Sequence, residues 1–388
     1  MKLSLVTDTY LPEINGVTTV LARMRTGLRD RGHQVQVIAP RYPDPGPDEE
    51  GIVRRASVPC PGYPAVRLSW PWSGRVLAAL DAHGPELVHV VTEGPLGVTG
   101  RRWALANGVP LVTSFHTDFP RYAASYLGAW AVGPVRRHLQ RFHAAAAHTQ
   151  TPSAVTRDEL RSLGVPNPVV WGRGVDSRVF APGRRSERRR AAAGAAGRLV
   201  VLHVGRLAVE KDVATMATAF RLLHARFGRR LAFWVAGDGP KSSEVRAALP
   251  FAAHAGFLAR ESLAELYADA DLFVFPSPTE TCGLVALEAM AAGLPVVAAD
   301  QGGVRENVRT GINGLLVRAG DPEAFADAVG ELVADSGRRL AMAQAARAFA
   351  VARDWERELD ALEPLYASAM RPLPSAEAMP SSECPAGA

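Results

Sequence analysis

The chain has 388 residues, 47% of them hydrophobic and 21% charged. This excludes a disordered or fibrous protein, and the length exceeds one ordinary core but fits two domains of roughly 150 to 200 residues. Net charge is +5 with all of the excess in residues 1–176, so that half either meets an anionic partner, a membrane surface or a phosphorylated acceptor, or is charged for solubility.

Three widely spaced cysteines, Cys60, Cys282 and Cys384, show no metal-ligand spacing. Asp8 interrupts the first apolar segment before a signal-peptide core forms, and no apolar run approaches the roughly 18 residues that span a bilayer. The expected home is a reducing cytoplasm, with the protein peripheral on the inner membrane face if a membrane takes part.

A short apolar strand at Leu3–Val6 leads through a Pro/Gly loop, Pro12–Gly16, into a helical pattern that ends after Leu28 at Gly32; Val35–Ile38 makes the next strand. Strands at Leu87–Val91 and Leu111–Phe115 continue an alternation that indicates a parallel sheet covered on both faces. Ligands gather at the carboxyl ends of such strands. Arg184–Gly197, rich in Arg, Ala and Gly without a strand signal, reads as a domain linker. The alternation then restarts with strand Leu199–Val204, a helix over 212–227, and strands Leu231–Ala236, Leu272–Phe275 and Pro295–Ala299. The expected fold class is α/β, two doubly wound domains over residues 1–178 and 179–351 with a cleft between them. A helical stretch, Pro322–Met370, outlasts the second sheet, and its last part, about 352–370, is expected to cross back to the first domain. Residues 371–388, rich in Pro, Ser and Ala, are expected to form a disordered tail.

Pro276 to Pro295 is the most informative segment. A buried strand ends at Pro276, a loop carries Glu280, and a helix from about Gly283 carries Glu288. Two such carboxylates can accept hydrogen bonds from hydroxyls of one extended ligand, while the free N–H groups of the helix start suit a diphosphate. The plainer reading, a dipole partner and a solvated face residue, fits poorly with the apolar run Leu284–Ala292 around Glu288. Arg206 and Lys211 follow strand Leu199–Val204. A planar fork and a point charge there could neutralise a diphosphate and stabilise charge developing on a departing nucleotide; isolated on a loop they would be surface charges. Gly16 opens a helix after Asn15 and allows a phosphate close to the backbone, although strand-to-helix turns hold Gly for geometry alone about as often. His116 follows a buried strand, where a lone His is commonly structural.

The Glu-x7-Glu spacing with Gly283 after the first Glu, followed by Glu288-Ala289-Met290-Ala291-Ala292-Gly293-Leu294-Pro295-Val296-Val297-Ala298, closely resembles the signature of family 4 glycosyltransferases with the GT-B fold. The resemblance implies that Glu280 holds the donor hexose, Glu288 the ribose, and the backbone of Thr281, Cys282, Gly283 and Leu284 the sugar and phosphates. Cys282 stands where that family more often has Phe, which bears on the shape of the sugar pocket. Gly205-Arg206 with Lys211 resembles the family's Gly-Arg-x4-Lys element, which places both cations on the leaving diphosphate. By the same resemblance the Gly16 loop lies near the phosphates, His116 at the bottom of the cleft against the donor sugar, and Phe257 and Leu258 near the base. Gly174-Val175-Asp176 with Phe180 resembles the passage between domains, and Gly237-Asp238-Gly239-Pro240 a second-domain turn.

The implied catalytic set is His116, Arg206, Lys211 and Glu280. A nucleotide diphosphate sugar is the implied co-substrate, with no other cofactor and no required metal. The implied reaction retains anomeric configuration by front-face displacement, and no obvious nucleophile carboxylate presents itself in the first domain. Tyr10–Val17 and His116–Phe119 most resemble bacterial mannosyltransferases acting on phosphatidylinositol mannosides or glycolipids, which implies GDP-mannose and a lipid acceptor. A UDP-sugar enzyme making a small glycoside, and a non-catalytic nucleotide-sugar binding module, are the alternatives.

Neither half contains Gly-x-Gly-x-x-Gly after an early strand, no Walker A loop occurs, and nothing points to nucleic acid. A phosphorylase of the glycogen type would need a much longer chain. Asp269-Ala270-Asp271 imitates a metal-binding Asp-x-Asp but directly precedes a buried strand, so it reads as structural. Gly133–His143 sets Arg137 and Arg141 one turn apart beside Arg136 and His143, with Val135, Leu139 and Phe142 between them. It is either an interfacial helix on anionic lipid or a solvated helix packed on the sheet, and base rates favour the second.

Overall fold

The computed structural model describes residues 1–44, 50–60, 63–70, 74–126 and 128–371; apart from Arg371, the expected tail lies outside the described residues. The first half runs β1 (Lys2–Val6), α1 (Gly16–Asp30), β2 (Gln34–Pro40), β3 (Ile52–Arg55), β4 (Ser57–Cys60), β5 (Tyr63–Ser69), α2 (Gly74–His83), β6 (Leu87–Val90) and α3 (Pro95–Ala106). It continues with β7 (Leu111–Ser114), α4 (Phe119–Tyr126), α5 (Val132–His143), β8 (His148–Thr151), α6 (Ala154–Ser162) and β9 (Pro168–Val170). The second half runs α7 (Glu187–Ala192), β10 (Leu199–Val204), α8 (Val213–Phe227), β11 (Leu231–Ala236), α9 (Ser242–Ala248), β12 (Ala253–Gly256), α10 (Arg260–Asp269) and β13 (Leu272–Phe275). It ends with α11 (Leu284–Ala291), β14 (Val296–Ala299), β15 (Gly314–Val317), α12 (Pro322–Ala334), α13 (Ser336–Val351) and α14 (Trp355–Ala369).

A seven-stranded sheet of order β3-β2-β1-β6-β7-β8-β9 and a six-stranded sheet of order β12-β11-β10-β13-β14-β15 are both parallel throughout, and β4 and β5 form a separate antiparallel pair. The chain order reverses beside β1 in one and β10 in the other, the position at which open parallel sheets leave a crevice at their carboxyl ends. Each sheet contributes to apolar cores on both of its faces because each is covered on both. In β10, Val200, Leu202 and Val204 enter one core while Val201 points into the other, as the pleat requires.

Helix α14 belongs to the first sheet. Its Leu359, Leu362, Tyr366 and Ala369 recur at helical spacing and pack with Leu3, Leu5, Val20, Leu21 and Met24. The outgoing and returning chains lie side by side: the Val175 N–H donates to the Arg353 carbonyl at 2.9 Å, and Gly174 sits so close to Trp355 that an added Cβ would lie 2.7 Å from its Cα.

One sequence reading changes. Arg184–Gly197 is no loose linker, since it contains α7, whose Arg190 is buried and donates to the Asp269 carbonyl, to Asp271 at 3.1 Å and to the Arg198 carbonyl at 2.6 Å. Arg189 pairs with Asp269 at 2.7 Å. The segment lacks apolar periodicity because ion pairs, and not an apolar stripe, hold it to the start of β13. These pairs also give Asp269 and Asp271 the structural role read for them. Helix α5 takes the favoured reading, a helix packed on the sheet: Leu139 and Phe142 are buried and Val135 packs beside Phe115, Leu139 and Leu160, so its apolar side covers the sheet while Arg136, Arg137 and Arg141 face outward. No helix among the described residues is long and apolar enough to cross a membrane.

Candidate active site

The carboxyl ends of the two sheets meet, and the loops leaving them touch directly. Thr281 Oγ1 donates to the His116 carbonyl at 2.9 Å, Arg121 Nη1 to the Pro278 carbonyl at 2.8 Å, and Tyr126 to Glu210 Oε2 at 2.6 Å. Gly16 faces Leu284, with room for a Cβ only at contact distance, 3.5 Å from Leu284 Cδ1. Four elements separated along the sequence thus converge: the loop before α1, the segment after β7, the 3-10 turn Val209–Lys211 after β10, and the loop Pro276–Gly283 after β13.

Each is fixed locally. Asn15 caps α1 in a reciprocal box with Thr18, which holds Gly16 at the helix start. Gly283, at φ +78°, takes the left-handed conformation that turns the chain into α11, and no side chain caps that helix. The first-turn N–H groups of α11 are therefore left without a side-chain cap. Gly237, also left-handed at φ +121°, lies so near Gly205 that a Cβ would fall 1.9 Å from its carbonyl oxygen. The Gly-Asp-Gly turn thereby backs the loop that carries Arg206.

Lys211 and Glu280 form a half-buried ion pair, and Ser277 Oγ donates to the same Glu280 oxygen at 3.0 Å. Burial alone would lower Lys211, but Glu280, then Tyr122, hold its ammonium above the ordinary lysine range. Burial lowers Arg206, opposed by Glu210 and Glu13. Glu288, half-buried one turn into α11, is pushed up by burial to about 7, against a hydrogen bond from Tyr267 at 3.3 Å and the charge of Arg260. Burial raises the Cys282 thiol to about 11, so it sits in the core of the second half as a neutral, compact group. Burial, then Arg173 and His89, lower His116 well below the ordinary histidine value, leaving a neutral imidazole.

The structure therefore gathers Gly16, His116, Thr281 and Leu284, and Lys211 with Glu280, while Arg206, Cys282, Gly283 and Glu288 lie on the same loops and helix. Phe257 and Leu258 stand further out. Phe257 is 60% exposed at the end of edge strand β12, and Leu258 packs against the second core. Three residues had escaped the sequence reading: Glu13 beside Arg206, Tyr122 beside Lys211 and Glu280, and Arg173 on His116. The first and third had a signal in sequence, since Glu13 sits in the Pro12–Gly16 loop and Arg173 directly precedes Gly174-Val175-Asp176.

Residues 14–179 match the family described as Glycosyltransferase Family 4, and residues 198–335 the one described as Glycosyl transferases group 1. A GDP-mannose-dependent alpha-mannosyltransferase of Mycobacterium tuberculosis is 36% identical over 366 residues, 92% of this chain and 93% of that protein. The chain belongs to glycosyltransferase family 4. A D-inositol 3-phosphate glycosyltransferase of Actinosynnema mirum is 35% identical over 321 residues, 76% of each chain. The Anabaena HepE protein in complex with UDP superposes with a TM-score of 0.76 at 21% identity, over 95% of this chain and all of that one, and shares its fold. The two sheets are thus the two halves of a GT-B glycosyltransferase.

Proposed function

We propose that this glycosyltransferase transfers mannose, with retention of configuration, from GDP-mannose to a lipid-linked or glycolipid acceptor. The observation that carries the reading is the meeting of Glu280 and the uncapped start of α11 with His116, across a contact of 2.9 Å between Thr281 and the His116 carbonyl; the mycobacterial relatives supply the donor. In this reading residues 179–351 bind the donor, and residues 1–178 with helix 352–370 form the acceptor side. Glu288 takes the ribose and Glu280 the hexose hydroxyls, while Phe257 and Leu258 flank the base. The N–H groups from Thr281 to Leu284 and the loop at Gly16 cradle the diphosphate. Arg206 and Lys211 stabilise the charge that develops on it as the glycosidic bond breaks. The acceptor hydroxyl attacks on the face the nucleotide leaves, and the departing phosphate takes its proton. Closure of the two halves excludes water and suppresses hydrolysis.

A membrane-side acceptor is supported by the outward arginines of α5 and by Trp130, 75% exposed one turn before them. It also fits a protein at work on the cytoplasmic face of a membrane. The likeness to D-inositol 3-phosphate glycosyltransferases favours a second reading, a small anionic acceptor. Thermal stabilisation by GDP, UDP, ADP and their hexose conjugates tests the donor. A shift selective for GDP and lost in Glu288→Ala and Arg206→Ala is expected; a shift with UDP alone would overturn GDP-mannose, and no shift with any nucleotide would overturn the donor site.

A further inference from the structure

We infer that Arg173 is a positioning residue that fixes His116 as a neutral imidazole with its proton on Nε2, so that His116 meets the substrate as a hydrogen-bond donor and not as a base. The inference rests on the reading above in one respect, that His116 faces the transferred sugar.

Arg173, 2% exposed just after β9, is itself held on several sides. Its Nη1 donates to the carbonyls of Trp171 at 2.8 Å and Gly172 at 2.9 Å, and its guanidinium lies 4.6 Å from the centre of the Trp171 ring. Trp171 in turn donates to the Glu358 carbonyl at 2.7 Å, which ties the group to α14. With the fork so locked, Nη2 reaches His116 Nδ1 at 3.1 Å. A guanidinium only donates, so Nδ1 must present its lone pair, and a neutral ring then carries its proton on Nε2. That atom is buried with no hydrogen-bond partner among the described residues. On the proposed function, the transferred sugar is the partner that this donor lacks.

The charged and titratable groups around the ring act in one direction. Arg173 and His89 of β6 both oppose protonation of His116. His89 is itself committed at both nitrogens, to Tyr366 of α14 and Ser114 of β7, each at 2.7 Å. Behind Arg173 stand Glu358 of α14 and the Cys282 thiol; burial lowers Arg173 to about 10 while these two oppose the shift, so it remains cationic at neutral pH. A base at this position would need the Nδ1 lone pair, which Arg173 occupies, or an unprotonated Nε2, which the same contact excludes.

The full-length protein labelled with 15N-histidine decides the matter without an assay of transfer, with His116→Gln assigning the signal. Between pH 6 and 8 the expected spectrum is a non-titrating Nε2–H tautomer. Arg173→Met is expected to release the tautomer, return a titration towards the ordinary histidine value, and lower kcat by about tenfold to a hundredfold, with the donor KM within about threefold. Arg173→Lys, which can donate to Nδ1 without the fork, is expected to restore the tautomer and most of kcat. A wild-type Nδ1–H tautomer or imidazolium near neutrality would overturn the inference, as would an Arg173→Met protein with unchanged tautomer and pH profile. Should Arg173→Met not fold, the wild-type spectrum and Arg173→Lys still decide. Absence of transfer from any nucleotide sugar would count against the proposed function, and the His116 spectrum would still decide the role of Arg173.

Discussion

The two halves bring different chemistry to the same cleft. On the side of the second sheet the groups are charged and paired: Lys211 with Glu280, Arg206 near Glu210 and Glu13, and Glu288 close to its titration point. On the side of the first sheet the histidine that meets the cleft, His116, is neutral. Burial lowers it well below the ordinary histidine value, as it lowers His89 behind it to about 3. The difference teaches how one cleft handles two tasks. A diphosphate that gains charge on departure needs fixed cations, whereas a sugar that must be oriented needs donors and acceptors that stay neutral at working pH.

That contrast breaks most easily at the charged pair. Glu280→Gln is expected to lower the transfer rate by about a hundredfold or more, leaving Lys211 without its counter-charge; an unchanged rate would remove Glu280 from the site. Next in size is Arg190→Met, which leaves the Asp269 and Arg198 carbonyls without their buried donor and Asp271 with Arg185 as its remaining arginine partner. Urea unfolding is expected to show a loss of about 3 kcal/mol, and a loss near zero would mean that α7 is dispensable.

A smaller effect is read through Glu288. Its folded pKa, about 7, lies above the ordinary 4.5, so its contribution to folding is full below about pH 4.5 and is lost as pH rises through 7. Nucleotide binding is expected to run the other way, because the carboxylate accepts more hydrogen bonds from ribose than the acid does. GDP affinity should therefore rise as pH passes 7, and Glu288→Gln should weaken it by about tenfold and flatten the profile; calorimetry from pH 6 to 8 checks both. The smallest expected change is that of Tyr126→Phe, which removes one bond across the cleft and should shift kcat by about threefold while GDP binding holds, as stopped-flow and calorimetry would show.

The charged side was legible because its parts are local. Glu280, Gly283 and Glu288 lie on one strand–loop–helix passage, and Arg206 and Lys211 follow one strand, so spacing alone aligns them. The neutral side was not, because His116 depends on Arg173 and on a layer reaching from His89 to Tyr366, brought together only by adjacent strands and by α14. Strands β8 and β9 escaped notice for a related reason: His148-Thr149-Gln150-Thr151 is polar yet fully buried, with Thr149 paired to Thr113 of β7 at 2.9 Å. The separate pair β4–β5, with Pro59 in its first strand, gave no periodic signal.

Sequence by itself determined that there are two parallel sheets, where most of their strands begin, and which residues line the second one's carboxyl edge, because apolar periodicity and motif spacing act over a few residues. Tertiary structure decided that α5 covers the first sheet with its apolar face, that α7 is an ion-paired part of the second half, and that Arg173 reaches His116. Those depend on which surfaces are covered and which charges meet across long stretches of chain, and neither property is written in local order.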